Sequence, residues 1–348
     1  MPVARDGTVP AYAYVVREKG KVELGTFSCA HCHTRVMPDG SVAKGGQSNF
    51  PVDPALADAF RQFSESAPPD KRLGAVDIIR NQLERVFYAV PFLGEKDPFR
   101  RTPNSVEEIA ALHDSVIPGL MSRQRATPFS PPRIPDLFEL RDRKFFDATG
   151  LDQNREIGDL MRYAAINQGA IQLLDYNGMF PPEKNPPAEK LFPRYTDESL
   201  YALALYIYAL KPPPNPHQSD ALSERGERVF QKAGCAACHP APLYTNNQLM
   251  KAEAIGTDPE LTSNTRRGTG YYKVPSLRHA WARGPFEHNG SVATLEDWFD
   301  PNRLRDDYVP TGFIGYGRKT RAVKGHAFGL NLGADDKRAL VAFLKTID

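Results

Sequence analysis

The chain has 348 residues, with 44 lysines and arginines against 42 aspartates and glutamates, a formal charge of +2. This balance excludes the strongly basic surface of a nucleic-acid-binding protein, and the longest apolar run, at 200–210, is about half the roughly 20 residues that cross a bilayer. The 31 prolines and 26 glycines predict short helices joined by long connections, in two loop-rich domains.

All four cysteines fall in two Cys-x-x-Cys-His runs, Cys29-Ala-His-Cys32-His33 and Cys235-Ala-Ala-Cys238-His239. In this pattern two thioethers hold one edge of a porphyrin, and the adjacent histidine turns under the ring to bind the iron. The runs predict two covalently bound haem c groups, with His33 and His239 as proximal ligands. A zinc site is the alternative, because paired cysteines also bind zinc through sulfur. A thioredoxin-like redox pair would need a βαβ context that the sequence lacks.

The haem motifs also bear on where the protein works. Covalent haem attachment in bacteria takes place outside the cytoplasm, so we expect a periplasmic or secreted protein. Residues 1–5 lack the basic, apolar and small-residue succession of a secretory signal, which fits a mature chain or a cytosolic protein. The two haem motifs favour the mature, exported chain.

The first haem domain is predicted over residues 1–215, with a large insertion at about 40–130. The insertion contains two predicted helices, at 76–89 and 106–116, and ends near an extended connector at 128–132. A helix over 202–210 closes this domain, because acidic and capping residues precede an amphipathic run. The proline-rich stretch 211–216 is the natural linker.

The second domain, 216–348, repeats the unit of the first: a haem motif, a Pro-x-Leu segment, a Phe-x-x-x-Gly turn and a closing helix, here at 339–347. Fifteen positions separate Pro135 from Gly150, and fifteen separate Pro275 from Gly290. In the first copy Pro135 lies 106 positions after Cys29. In the second copy Pro275 lies only 40 positions after Cys235. The difference between these spacings is the insertion.

The second copy contains three further runs: Val274-Pro275-Ser276-Leu277-Arg278, Gly284-Pro285-Phe286-Glu287-His288-Asn289-Gly290-Ser291 and Ala293-Thr294-Leu295-Glu296-Asp297. Together with the haem motifs, they resemble the bacterial di-haem cytochrome c peroxidase superfamily over most of 221–348 and more loosely over 26–210. The resemblance implies a mainly α fold of two cytochrome c-like haem domains in tandem. That superfamily includes hydrogen-peroxide-reducing peroxidases, the di-haem enzyme that matures tryptophan tryptophylquinone, and rubber oxygenases.

Two positions depart from the peroxidase pattern. Phe146 stands where peroxidases of this type have a tryptophan between the haems. Their C-terminal haem usually takes a methionine just before the closing helix, whereas this chain has His326 there and no methionine after Met250. Rubber oxygenases place a histidine at that point, so the resemblance implies His326 as the second axial ligand of the C-terminal haem. The 206 positions from Cys29 to Cys235 also resemble that branch, although rubber oxygenases are longer chains.

The first copy has a different residue at the matching place. With the offset of 137 positions between the closing helices, His326 corresponds to Glu189. This asymmetry predicts an N-terminal haem that is open on its distal side to peroxide or dioxygen. Other candidates for a sixth ligand there are His113, Met37, Met121, Met161 and Met179. Candidates for the catalytic residues are Glu189, Phe146 and Met161, and those for distal acid–base work are Glu84, Glu107, Glu108 and Glu189.

Other side chains have predicted roles beside the haems. Arg278 is expected to pair with a haem propionate through a charge-assisted contact. His288 is expected to form a hydrogen bond near a haem or the backbone rather than to bind iron. Phe146 and Trp281 are candidates to flank a path between the haems, and core packing is the alternative for both.

Three functions remain open from the sequence. The first is a peroxidase-like oxidoreductase that reduces peroxide at the open N-terminal haem, with electrons relayed by a six-coordinate C-terminal haem. The second is a rubber-oxygenase-like haem dioxygenase that cleaves an alkene. The third is an electron-transfer cytochrome without catalysis. The expected partners are a small oxidant, peroxide or dioxygen, and a small electron-donor redox protein.

Overall fold

The computed structural model describes residues 1–25, 28–66, 105–122, 131–168, 196–263 and 269–348. Helices dominate these ranges: α1 (Cys29–His33), α2 (Val52–Ser66), α3 (Val106–Asp114), α4 (Ile157–Gln168), α5 (Asp197–Ala209), α6 (Ala221–Lys232), α7 (Ala252–Ile255), α8 (Glu260–Ser263), α9 (Leu295–Trp298) and α10 (Ala334–Thr346). Short 3-10 helices lie at Leu140–Asp142, Cys235–Ala237, Ala280–Ala282 and Pro301–Leu304. The helix-dominated class predicted from the sequence is confirmed for these residues.

Six short strands form three antiparallel pairs that the sequence analysis did not predict. They are β1 (Ala13–Glu18) with β2 (Lys21–Gly25), β3 (Thr34–Val36) with β4 (Val42–Lys44), and β5 (Leu249–Lys251) with β6 (Tyr271–Lys273). In the first pair Tyr14 lies opposite Leu24, and in the second Thr34 lies opposite Lys44. The second hairpin follows the first haem motif directly, so it turns the chain back beside that motif.

The C-terminal part is organised by the packing of α6 against α10. A side chain on Gly226 would overlap the carbonyl oxygen of Ala339, so only glycine permits this close approach. Around the contact lies a buried apolar cluster that includes Phe230, Leu340 and Phe343. The cluster also contacts Cys235, so the second haem motif is attached to this core.

In the N-terminal part α5 packs against α4 instead. Thr196 caps α5, since its hydroxyl accepts a hydrogen bond from the Ser199 amide. The shared cluster contains Phe146, Leu160 and Ala204. The predicted closing helices at 202–210 and 339–347 are confirmed within α5 and α10, and the predicted helix at 106–116 is confirmed as α3. The predicted helix at 76–89 lies outside the described residues, as does most of the connector at 128–132.

The internal repeat has a structural counterpart in its Pro–Gly segments. Glu139 and His279, 140 positions apart, both adopt left-handed backbone conformations, with φ of 51° and 58°, and each precedes a 3-10 helix. Gly150 and Gly290 have φ of 75° and 70° at the ends of the segments. The backbone therefore follows the same course in both copies. The domain limits at 215 and 216, and the insertion, stay predictions.

Residues 210–220 connect α5 to α6 without helix or strand. The side-chain amide of Asn215 donates to the carbonyl oxygen of Lys345 at 2.9 Å, which ties this connection to α10. Among the described helices, none combines the length and the apolar character that a bilayer crossing requires.

Candidate functional site

Both predicted proximal histidines are held by backbone carbonyls. Nδ1 of His33 lies 3.1 Å from the carbonyl oxygen of Pro135, and Nδ1 of His239 lies 3.0 Å from that of Tyr244. A proton on Nδ1 fixes the neutral tautomer, so coordination of iron would use Nε2. Burial lowers the pKa of His239 to about 4, which keeps this imidazole in the neutral form that binds metals.

The cysteines of each motif lie beside their histidine. Cys29 and Cys32 belong to α1, where Ser28 forms a capping box, and the second pair lies on and just after a 3-10 helix. None of the four cysteines is in a disulfide. No group of three or more histidine, cysteine or carboxylate side chains that could hold a metal ion occurs in the described ranges.

His326 faces His239 across a gap that suits a metal. The centres of the two imidazole rings are 6.4 Å apart, and the rings are inclined at 60°. Because imidazole nitrogen binds first-row metals at about 2 Å, two imidazoles on opposite sides of one iron would have ring centres roughly 6 Å apart. Nδ1 of His326 is buried without a hydrogen-bond partner among the described residues, so no polar contact there competes with a metal. The pair therefore fits the two axial ligands of one haem.

The loop that carries His326 is tightly constrained. Gly325 and His326 have left-handed backbone conformations, with φ of 91° and 44°. The amide of His326 donates to the carbonyl oxygen of Ile255 at 3.1 Å. The rings of Trp298 and Phe328 contact its imidazole at 5.4 and 5.3 Å between centres. Burial lowers the pKa of His326, which favours the neutral ligand form.

A cavity of about 550 Å³ lies beside the first haem motif and falls within the range of small-molecule and cofactor sites. Cys29, Cys32 and His33 are among its lining residues. Much of the apolar lining comes from Phe146 and from α4 and α5, including Leu160, Tyr163, Ala164, Leu203 and Ile207. Within this lining, Phe146 stacks on Tyr163 at 5.0 Å between ring centres. An apolar lining beside the haem motif suits a large, mostly apolar group.

Two basic side chains line the cavity, together with the carboxylates of Asp136 and Asp147. Arg133 and Lys273 line it, and burial lowers the pKa of both, that of Lys273 to about 7. The Lys273 ammonium donates to the carbonyl oxygens of Phe145 at 2.9 Å and Phe146 at 3.2 Å. Arg133 forms no ion pair with a carboxylate in the described part of the chain. Cations buried in this way fit the two carboxylates of a haem, so the side chains at this cavity suit the predicted cofactor.

A buried ion cluster connects this part of the cavity to the second copy. Asp136 also lines the cavity, and its carboxylate pairs with Arg143 and, at 2.8 Å, with Arg283. Although burial opposes it, the two guanidinium groups hold the pKa of Asp136 below its usual range. The backbone makes the same connection, since the Arg133 amide donates to the carbonyl oxygen of His288 at 2.9 Å.

The predicted catalytic candidates are placed differently from one another. Phe146 lines the cavity, whereas Met161 packs in the same apolar cluster without reaching the cavity surface. Met121 lines the cavity, with its sulfur 3.2 Å from that of Cys32. Met37 lies in the turn between β3 and β4, away from the cavity. The candidates Glu84, Met179 and Glu189 lie outside the described residues.

Three further candidates are not brought to the cavity. Glu107 is exposed and forms a 2.9 Å ion pair with Arg61, and Glu108 follows it in the first turn of α3. His113 is completely buried in the same helix, with Nδ1 2.7 Å from a carboxylate oxygen of Asp53. None of the three lines the N-terminal cavity.

His288 reaches the first copy from the second. It lines the N-terminal cavity, stacks on Tyr272 at 4.6 Å between ring centres, and pairs through Nδ1 with Glu287. Its predicted place near a haem and away from iron ligation stays a prediction.

The other two predicted side chains have protein partners. Arg278 pairs with Glu139 and lies 3.7 Å from Asp142, and its contact with a propionate stays a prediction. The indole of Trp281 donates to Asp348 at 3.4 Å.

The sequence analysis missed the two basic side chains of the cavity, although a signal was present. Arg133 and Lys273 stand two positions before the prolines of the two Pro-x-Leu segments, so the repeat places a basic residue at equivalent points. That both cations line one cavity could not be read from the repeat, because it depends on how the two copies pack. Arg303, whose side chain contacts the loop of His326, was also not predicted from the sequence.

Comparisons with known proteins were made for the whole chain. It is 28% identical over 131 residues to the methylamine utilization protein MauG of Methylorubrum extorquens, covering 36% of this chain and 34% of that protein. It is 31% identical over 112 residues to the cytochrome-c peroxidase IdrP1 of Denitromonas iodatirespirans, covering 22% of this chain and 30% of that protein. The chain thus spans about a third of the length of these relatives. No protein-family model matches.

A solved structure of a MauG-like protein associated with microbial copper homeostasis aligns with 63% of this chain and 75% of its own chain. The identity is 16% and the TM-score is 0.36, which is too low to support a structural argument.

Proposed function

We propose that this chain is a di-haem c-type oxidoreductase with two unlike haems. Its relatives, a methylamine utilization protein and a cytochrome-c peroxidase, support the predicted di-haem cytochrome c peroxidase superfamily. The haem on Cys235 and Cys238 is held by His239 and His326, and it relays electrons. The haem on Cys29 and Cys32 reacts with a small oxidant, preferably peroxide. The observation that carries this proposal is the 6.4 Å facing pair of imidazoles in the second copy.

The C-terminal pair determines what that haem can do. Two imidazoles on one iron leave no coordination position for a substrate, so the site exchanges electrons only. Imidazole in place of a methionine sulfur also lowers the reduction potential, because the thioether favours reduced iron. An electron received from a donor protein would then pass readily to an oxidised partner at the N-terminal site.

The N-terminal cavity supports the reactive role. When bound, the haem would supply an iron with an available coordination position and one of the two electrons that reduction of peroxide to water requires, the other being relayed from the C-terminal haem. The chain supplies His33, apolar side chains of α4 and α5 that exclude water, and the buried cations Arg133 and Lys273. These cations would hold the propionates and so fix the ring in the cavity. Glu189 and Glu84 stay candidates for the distal acid, and both lie outside the described residues.

The partners and location follow from this chemistry. Peroxide is the proposed oxidant, and a small redox protein is the proposed electron donor at the C-terminal haem. Because covalent haem attachment takes place outside the bacterial cytoplasm, the proposed location is periplasmic.

A haem dioxygenase that cleaves an alkene is the second candidate. The apolar lining contributed by Phe146, Leu160, Leu203 and their neighbours favours it, since a hydrocarbon would be bound by such a surface. An electron-transfer cytochrome would instead have a sixth protein ligand on both irons.

Steady-state assays separate the two enzymes. We expect the reduced holoprotein to be oxidised by stoichiometric peroxide and to turn over with peroxide and a reduced small cytochrome. Peroxide that fails to oxidise the protein, together with uptake of dioxygen on addition of a polyisoprene oligomer, would favour the dioxygenase. Failure of both reactions would favour the electron-transfer protein.

A further inference from the structure

Arg303 is among the most deeply buried side chains of the described residues, with 1% of its surface exposed. Its Nη1 donates to the carbonyl oxygens of Val323 at 2.7 Å and Gly325 at 2.9 Å. Its Nη2 donates to the carbonyl oxygen of His326 at 2.9 Å, and its Nε to that of Trp298 at 2.9 Å. The guanidinium thus binds three carbonyls of the one loop that carries His326.

This arginine has no carboxylate in direct contact among the described residues, and Glu287 acts on it only through longer-range electrostatic attraction. No carboxylate lies within ion-pair distance of Arg303 in the described part of the chain, and every hydrogen bond it forms there is to a neutral carbonyl. Burial of a cation without a directly paired counter-ion is costly, so a side chain used only for packing would be apolar at this place. The desolvation cost is consistent with a role that needs several hydrogen-bond donors fixed in one plane. A guanidinium group provides these donors.

The loop needs such a constraint. Gly325 and His326 are consecutive left-handed residues, and the histidine has a side chain that disfavours this conformation. Sparsely populated backbone conformations persist only where the surrounding contacts impose them. A Cβ atom on Gly325 would overlap the backbone of Thr257, so the loop also packs closely against the turn after α7.

Arg303 also affects the imidazole of His326 indirectly, through the indole ring of Trp298. The guanidinium carbon of Arg303 lies 5.4 Å from the ring centre of Trp298, and that ring lies 5.4 Å from the imidazole of His326. The guanidinium therefore packs on the indole, and the indole packs on the imidazole. Movement of Arg303 would remove its hydrogen bonds to the His326 loop and disturb the packing of Trp298 on the imidazole.

We propose that Arg303 is the positioning residue of His326, holding its loop so that the imidazole faces His239. This inference rests on the proposed function, in which His326 is an axial ligand of the C-terminal haem. Without the guanidinium, His326 would leave the iron for part of the time, and a small exogenous ligand would then compete for the position.

The test uses carbon monoxide on the reduced, two-haem protein. Wild type is expected to bind one carbon monoxide per chain. His326→Ala is expected to bind two, which tests the proposed ligation separately. Arg303→Met is expected to bind a second carbon monoxide and to lose part of the low-spin ferric signal, although His326 is present. Arg303→Lys keeps the charge but has fewer hydrogen-bond donors. It is expected to bind less of the second carbon monoxide than Arg303→Met does.

Arg305→Met is the matched control, since Arg305 is exposed in the same region and pairs with Asp307 at 2.8 Å. It is expected to behave as wild type. If His326→Ala binds two molecules while Arg303→Met and Arg303→Lys both keep wild-type binding and spectra, the positioning role is wrong and the ligation stands. If His326→Ala changes nothing, the ligation itself is wrong. If Arg303→Met does not retain both haems, Arg303→Lys decides the question. Wild-type carbon monoxide binding by Arg303→Lys would then show that the positioning role is wrong.

Discussion

The two Pro–Gly segments show what the copies share. Arg143 donates through Nη1 to the carbonyl oxygen of Asp136 at 2.7 Å, and Arg283, 140 positions later, donates in the same way to Ser276 at 2.7 Å. The carbonyl oxygen of Pro135 lies at the first proximal histidine, and that of Pro275 also interacts with the second. The repeat therefore conserves the support of the proximal ligand.

The surroundings of the two segments differ. The second copy closes with α10 against α6, and its loop brings His326 to face His239. The first copy begins with a β-hairpin, closes with α5 against α4, and encloses a cavity beside His33. Under the proposed function, the same kind of proximal support would serve a closed haem in the second copy and a reactive haem in the first.

The largest expected effect concerns haem content and tests whether both copies hold haem covalently. Replacing both Cys235 and Cys238 by alanine should remove half of the haem that remains after acid–acetone extraction, and replacing Cys29 and Cys32 should remove the other half. Intact mass and a pyridine haemochrome assay measure this. Full retention of haem in either double variant would show that the motif concerned is not the attachment site.

The next effect concerns Asp136, a position at which the two segments differ in charge because its counterpart in the second copy is Ser276. Asp136→Asn should lower the free energy of unfolding by about 3–5 kcal/mol, because it removes one partner of a buried pair and leaves two guanidinium groups without a counter-ion. The exposed Asp39, which pairs with Arg5 at 3.2 Å, provides a control: Asp39→Asn should have no measurable effect. Urea denaturation of the holoproteins compares the variants.

The pH dependence of that stabilisation follows from the lowered pKa of Asp136. The contribution is fully present above the unfolded pKa of about 4. It is lost as the pH falls through the lower pKa of the folded state. Wild type should therefore lose its advantage over Asp136→Asn only in strong acid, and an advantage that disappears near neutral pH would contradict the assignment.

A smaller effect tests the distal difference between the copies. His326→Met should raise one midpoint potential by on the order of 100 mV, because a thioether favours reduced iron over a second imidazole. Potentiometric titration measures both haems, and the exposed His217 gives the control variant His217→Met. Two unchanged potentials would mean that His326 does not bind the iron.

The sequence was most informative where chemistry depends on local spacing. The cysteine–histidine runs, the closing helices and the equivalence of Pro135 with Pro275 all rest on neighbouring residues, and the corresponding elements lie where they were expected. The position of His326 opposite His239 also agrees with the ligand that the superfamily resemblance implied, and its coordination of iron stays a proposal.

Other features depend on contacts between distant parts of the chain. Lys273 reaches the cavity of the first copy because β6 lies beside Phe145 and Phe146. Arg303 would be read as a surface residue of a short 3-10 helix, because nothing in the adjacent sequence indicates its burial. The short strands were missed because three-residue pairings carry little periodicity. Glu189, the predicted counterpart of His326, lies outside the described residues.

The central claim is that the C-terminal haem is closed by His326 while the N-terminal haem accepts a ligand. Carbon monoxide titration of the fully reduced holoprotein tests it directly, with absorption difference spectra and a haem assay giving the ratio. The account predicts one carbon monoxide per chain in wild type and two in His326→Ala. Two molecules bound by wild type, or none, would contradict it.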